Sequence, residues 1–361
     1  MYHRAALAHF PQITYVRYRQ LREHFLDLEK LWEAELEDLV KAGLEVEIAD
    51  EFLNWRDANP AEKFAEILER EKIQTVALGD LDYPPLLAQI IDPPFVIFFR
   101  GQLPLPPQPA LAIVGTRRCS VYGKRVTADF SSGLARQGIN IVSGLALGID
   151  GAAHEACLAG GGKTIAVLGS GVDRDHVFPT AHRGLADKIV AGGGAVISEY
   201  PPGFKPTSYS FPARNRIIAG LSLGVLVTEA PLGSGALITA RASLDYNREV
   251  FVIPHSLYSP SGEGNNDLLK SGACLVTKVD DILNELNLQN LRSIVGEKPA
   301  VSGLGPVDSR ILSALSSESQ SVDSVIRATG LDSATVGARL LFLEMKGLVK
   351  NLGGMMFVKN D

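Results

Sequence analysis

Between residues 111 and 276, short apolar runs alternate with helix-like stretches. The pattern predicts strands at 111–114, 139–142, 164–168, 195–198, 225–228, 250–253 and 274–276. Helices are predicted between them at 121–136, 149–159, 181–191, 213–221, 236–246 and 267–271. A strand that is apolar at every position has no solvent face and must be covered on both sides. Right-handed helical crossovers join such strands in parallel. The expected fold class is therefore α/β, a doubly wound, mainly parallel, extended Rossmann-like sheet.

The flanks read differently. Leu21, Phe25, Leu28, Leu31, Trp32, Leu36 and Leu39 recur at helical spacing with charges between them. Gly43 closes that stretch and Pro60 opens another helix. Residues 1–75 are thus expected to form a small all-α module, ahead of a sheet domain over 76–284. Within that domain, 76–109 is a transition with turns, a strand at 95–99 and a stiff Pro104-Leu105-Pro106-Pro107 linker. Residues 285–305 lack periodicity and read as a linker. In 306–361, apolar positions mark three short helices, and a hairpin follows around Gly353-Gly354. Three helices and a β-wing make a winged helix.

Of the residues, 46% are hydrophobic and 21% charged, which excludes a disordered polymer. No run reaches the ~18 apolar residues of a membrane span, and Met1-Tyr2-His3-Arg4 leads into no secretory h-region. Cys119, Cys157 and Cys274 are odd in number and far apart, against a disulfide framework or a structural zinc site. A cytosolic protein is expected. The net charge of −6 comes from residues 1–75, which hold 10 bases and 16 acids. No acid lies between Asp92 and Asp129, where Arg100, Arg117, Arg118, Lys124 and Arg125 stand. None lies between Glu199 and Glu229, where Lys205, Arg214 and Arg216 stand. A chain of acidic total charge can therefore still present a basic edge.

Ligands of a doubly wound sheet bind at the carboxyl ends of its strands. The loops there begin Gly115-Thr116-Arg117-Arg118, Ser143-Gly144, Gly169-Ser170-Gly171 and Pro231-Leu232-Gly233-Ser234-Gly235, and one more runs to Phe211-Pro212-Ala213-Arg214-Asn215-Arg216. Gly and Ser expose backbone N–H groups to phosphate oxygens there. Glycine after a strand also serves tight turns alone. The coincidence of five such loops with acid-free arginines points to phosphate. Pro212 biases Phe211 to an extended conformation.

Enzyme signals are weaker. Gly160-Gly161-Gly162-Lys163-Thr164 resembles the end of a P-loop, but the required first glycine is Cys157 and the segment joins helix to strand. No GxGxxG calls for a dinucleotide, and neither Ser143 nor Ser234 sits in GxSxG. Asp150 and His154, at i and i+4, admit a metal or acid–base pair or, more simply, a helix-start Asp beside a packed His. No catalytic residue, metal or cofactor is expected.

The segments Val114-Gly115-Thr116-Arg117, Ser120-Val121-Tyr122-Gly123, Ser143-Gly144-Leu145-Ala146, Gly148-Ile149-Asp150, Phe211-Pro212-Ala213-Arg214-Asn215-Arg216 and Ser234-Gly235-Ala236-Leu237-Ile238-Thr239 closely resemble the bacterial DNA-processing protein A (DprA/Smf) family in order and spacing. The resemblance spans about residues 80–284. It implies single-stranded DNA binding, a homodimer, and loading of RecA recombinase in natural transformation. It makes Arg117 a phosphate contact and places Phe211, Arg214 and Asn215 in a strand-binding FPxRN loop. With Gly115, Thr116, Arg118, Ser143, Gly144, Lys205 and Arg216, these form the candidate DNA-binding set. A basic groove tracks the backbone and a ring stacks a base. The family's dimer surface implies Leu244, Leu268, Leu269 and Leu275 as interface residues. The chain departs from the family's usual pattern at Phe178, His182, Ser208 and His255.

Two other readings compete. A phosphoribohydrolase on the same fold would carry a glutamate in a PGGxGTxxE loop, and residues 231–239 hold none. A winged-helix transcription regulator would need a basic recognition helix, and residues 333–345 carry Arg339 against Glu344.

Overall fold

The structure, a computed structural model, describes residues 2–25, 27–103, 108–288, 306–316, 320–345, 348–353 and 356–359. It divides into two compact units between residues 295 and 296. The first opens with six helices, α1 (Tyr2–His9), α2 (Tyr15–His24), α3 (Leu28–Glu33), α4 (Leu36–Lys41), α5 (Val46–Ala58) and α6 (Ala61–Glu71). There follow β1 (Gln74–Ala77), α7 (Pro85–Ala88), β2 (Val96–Gly101), β3 (Ala110–Gly115), α8 (Val121–Arg136), β4 (Asn140–Ser143), α9 (Ile149–Ala159) and β5 (Thr164–Val167). Then come α10 (Arg183–Ala191), β6 (Ala195–Ser198), α11 (Ser210–Gly220), β7 (Gly224–Glu229), α12 (Gly235–Asp245), β8 (Glu249–Val252), α13 (Glu263–Lys270), β9 (Cys274–Leu275) and α14 (Val279–Glu285).

One nine-stranded sheet runs β1-β2-β6-β5-β4-β3-β7-β8-β9. The seven strands from β3 to β9 run parallel to one another, and β2, antiparallel to both β6 and β1, extends the sheet at one edge. The doubly wound sheet is as expected. Alternating side chains feed two cores, as pleating requires. Leu111, Ile113 and Ile141 pack with Phe130, Leu134 and Ala153 of α8 and α9. Ala112, Val114 and Val142 pack on the other face with Ile217, Ile218, Ala236 and Ala240 of α11 and α12.

The helical start is more fragmented than its apolar spacing suggests. The Leu21–Leu39 periodicity is cut into three helices, with Asp27 capping α3 by accepting from Glu29 N. Nor is the start independent of the sheet. Leu7, Leu31, Trp32, Phe52 and Phe64 form one continuous core with Phe98 of β2, Ala166 of β5 and Val196 of β6. Arg4 forks onto Asp80 at 2.5 and 2.9 Å. The expected boundary at 75/76 falls inside β1, a strand that the sequence pattern did not suggest. Its four residues are too few to show a period.

The second unit comprises α15 (Pro306–Ala314), β10 (Gln320–Ser321), α16 (Val322–Thr329), α17 (Ser333–Met345), β11 (Val349–Gly353) and β12 (Met356–Lys359). Its sheet order is β10-β12-β11, and Ile311, Val325, Leu340 and Phe357 lie in its core. This is the expected winged helix. Arg339 of α17 pairs with buried Asp308 at 3.6 Å. Pro104-Leu105-Pro106-Pro107, most of the 285–305 linker and Gly354 lie outside the described residues. Among the described residues no helix is long and apolar enough to cross a membrane.

Asn265 of α13 ties the strand ends together. Fully buried, its Oδ1 accepts from Ala230 N (2.7 Å) and its Nδ2 donates to Val227 O (3.0 Å) and Ile253 O (2.9 Å). Leucine has similar volume but meets none of these groups. Asn265→Leu is expected to cost about 2–4 kcal/mol of unfolding free energy in urea titration. A loss below about 0.5 kcal/mol would show that these backbone groups find other partners.

Candidate nucleic-acid interface

The chain winds outward from β3 to β4 on one side and to β7 on the other. At this switch point, the carboxyl ends of the strands part to leave a crevice. A groove of about 700 Å³ lies there, lined by Gly115, Thr116, Arg117, Arg118, Phe211, Arg214 and Asn215 and by the 231–235 loop.

The floor is held by Arg214, which is only 5% exposed. Its Nη1 donates to Gly144 O at 2.8 Å and also to Val167 O, and its Nε donates to Asn215 Oδ1 at 3.2 Å. One guanidinium thus joins the ends of β4 and β5 to α11. Asp150, the second residue of α9, accepts from Gly144 N (3.0 Å) and Ala146 N (3.3 Å) through Oδ2. Burial lowers the pKa of Arg214 to about 10, against the attraction of Asp150. Burial raises that of Asp150, against the attraction of Arg214. Each charge offsets the other's desolvation. Gly144 has to be glycine, because a Cβ there would lie 2.6 Å from Arg214 Nη2 and 2.7 Å from Asp150 Oδ2.

Phe211 is helical rather than extended. Helix α11 starts at Ser210, three residues before the expected 213, which puts Phe211 and Pro212 in its first turn. Proline is tolerated there because the first N–H groups of a helix have no intrahelical partner. The start is fixed reciprocally: Ser210 N donates to Thr207 Oγ1 (3.1 Å) and Thr207 N to Ser210 Oγ (3.0 Å). Ser210 Oγ also sits 2.6 Å from Gly169 O. These bonds override the pre-proline bias and lay the half-buried Phe211 ring over Gly169, with Arg117 Cζ 5.5 Å from its centroid.

The candidate residues separate into groups. Arg117 and Arg118 are exposed on the groove wall. Thr116 shapes their loop, accepting from Arg118 N (3.2 Å) at Oγ1 and from Ile149 N (3.2 Å) at its carbonyl. Gly115 lies against Ile149 and Glu229 O, where a Cβ would come within 2.7 Å of both. Ser143 is buried and gives its hydroxyl to Ile113 O at 2.6 Å. Arg216 is engaged by Glu199 (2.6 Å) and Asp92 (3.0 Å). Lys205 is exposed but does not line the groove. Of the leucines, Leu244 and Leu275 are exposed, whereas Leu268 and Leu269 are half-buried against the core.

His154 is fully buried, its Nδ1 2.7 Å from Thr164 Oγ1, and burial lowers its pKa to about 3. It is a packed, neutral histidine, the simpler of the two readings. Among the described residues no cluster of His, Cys, Asp or Glu could hold a metal. Sequence pattern alone did not single out Ile238 or Thr239 of α12 as groove residues. The one available signal was their place in the helix that directly follows a loop already marked by its glycines.

Removing Arg214 would strand Asp150 and two strand-end carbonyls. Arg214→Ala is expected to lower unfolding stability by about 3–5 kcal/mol. Arg214→Lys, with a point charge in place of the fork, should recover only part of this. Urea unfolding of both variants checks the ordering.

A model of the DNA recombination-mediator protein A family matches residues 74–287, and a DprA winged helix domain matches residues 296–355. Protein Smf of Synechocystis is 35% identical, with 94% of each chain covered. The crystal structure of DNA processing protein A from Streptococcus pneumoniae aligns with a TM-score of 0.69 at 36% identity, covering 79% of this chain and 98% of that one. A structure of DNA processing protein A from Helicobacter pylori, described for its single-stranded DNA binding mode, aligns with a TM-score of 0.53 at 32% identity, covering 60% and 96%. The chain belongs to the DNA recombination-mediator protein A (DprA/Smf) family.

Proposed function

We propose that this chain is a cytosolic mediator that binds single-stranded DNA in the switch-point groove, holds it uncut and loads RecA recombinase onto it, as in natural transformation. The observation that carries this reading is the pairing of exposed Arg117 with the half-buried Phe211 ring in one groove. A cation for the phosphate and a ring for the base are what sequence-independent single-strand binding needs. Asn215 and the α12 start at Ser234-Gly235 add polar groups along the same groove. The family description and the Helicobacter pylori relative's strand binding support the same substrate. Holding without cutting fits Asp150, whose carboxylate is occupied by two backbone N–H groups and faces Arg214. Arg216, tied to two carboxylates, and Ser143 are left out of the proposed DNA contacts.

Oligo-dT binding should weaken with salt at a log–log slope of about −0.7 per phosphate neutralised. Arg117→Ala should cost ~1.5–3 kcal/mol and flatten that slope. Phe211→Ala should cost ~1–3 kcal/mol with the slope kept. Arg216→Ala should leave affinity near wild type and reduce stability. Salt titration by fluorescence anisotropy tests all three. A flat salt response in the wild type, or cleavage of the oligonucleotide, would refute the proposal.

We also propose a homodimer through the last part of the sheet domain, supported by Leu244 near the end of α12 and Leu275 of β9, which are 60% and 52% exposed. An apolar, self-complementary edge favours a two-fold pair. Sedimentation should show a dimer at micromolar concentration, and a charge at both positions should yield a folded monomer. A wild-type monomer under these conditions refutes this interface.

A further inference from the structure

We propose that Phe178, in the loop after β5, is a second base-stacking contact that carries the strand out of the groove. This rests on the single-strand reading above. The Phe178 ring is 43% exposed and lies 5.5 Å from the Phe211 ring, tilted by 47°. Phe211 in turn carries Arg117 at 5.5 Å. Arginine, inner ring and outer ring thus form one continuous row, and its outer member lies beyond the residues that line the groove. The tilt and the 5.5 Å separation are too large for bases at the about 3.4 Å rise of a stacked helix. They suit the splayed bases of a single strand, one on each ring.

The ring is held ready. Val177 before it is buried and its N–H donates to Asp173 O at 3.2 Å, while Pro179 after it restricts the chain. Asp173 is itself anchored, its Oδ1 accepting from Gly203 N at 2.8 Å, and Gly171 N donates to Phe204 O at 3.0 Å. An exposed aromatic on a braced loop loses little freedom when a base covers it. Asp175, Arg174 and His176 also lie on this loop, but Arg174 pairs with Asp187 and His176 with Asp173. Stacking is therefore the contact this loop offers.

The test is oligo-dT binding by the full chain across a salt series. Phe178→Ala is expected to weaken affinity about 5–100-fold, with the salt slope and melting temperature kept. Phe178→Tyr should bind like wild type. In Phe178→Trp, the added indole emission should be quenched by the oligonucleotide; the native Trp32 and Trp55 lie in α3 and α5. Unchanged affinity in Phe178→Ala overturns the proposal while leaving the groove reading intact. So does a loss accompanied by a flattened salt slope, which would mean that the ring acts through Arg117. Absent quenching with intact binding also overturns it. If the wild type binds no oligo-dT, the groove reading falls first and this one with it.

Discussion

A buried guanidinium organises the functional edge of this protein. Arg214 reaches from α11 to the carbonyl groups that end β4 and β5, opposite a carboxylate planted in the first turn of α9. Carbonyl groups at strand ends have lost their ladder partners, and water is excluded here. A planar fork with several donors can satisfy them from one point, which a lysine cannot do. Once it is in place, Gly144 can carry no side chain, Asp150 keeps a counter-charge, and α11 is locked with Phe211 facing the groove.

The arginines of the acid-free stretches thus divide by burial. Arg214 and Arg216 are occupied within the protein, whereas Arg117 and Arg118 project from a loop into the groove. The cations proposed to meet the strand are thus exposed ones, whose loss need not unfold the domain. Stability instead depends on cations whose donors are already taken up by groups of the protein. The separation matters because a buried charge deprived of its partner is far more costly than an exposed one.

The domain edges follow from packing rather than composition. The acidic helical start shares a core with β2, β5 and β6 through Phe98, Ala166 and Val196, so a change in composition near residue 75 marks no break in the structure. The winged helix has its own core of Ile311, Val325, Leu340 and Phe357. Its third helix holds Arg339 paired with Asp308, a residue of the same core unit.

Local rules made much of this legible. Apolar runs with no polar face specify buried parallel strands, so the order of strands and crossover helices from β3 to β9 and the loops at the sheet's carboxyl edge could be placed, with some element ends off by up to four residues, as at the start of α13. The 149–159 and 121–136 helices match their expected bounds, with Gly148 and Gly160 flanking the first and Ser120 capping the start of the second. What tertiary structure decided were the choices between equivalent partners: Arg216 for Glu199, Arg214 for strand-end carbonyls, Ser143 for Ile113 O. It also decided the start of α11, where Thr207 and Ser210 outweigh the preference that Pro212 imposes on its neighbour. Sequence pattern records each residue's own preference. A buried charge or hydroxyl instead takes whichever partner the fold brings within about 3 Å, and that distance exists only once the chain has folded.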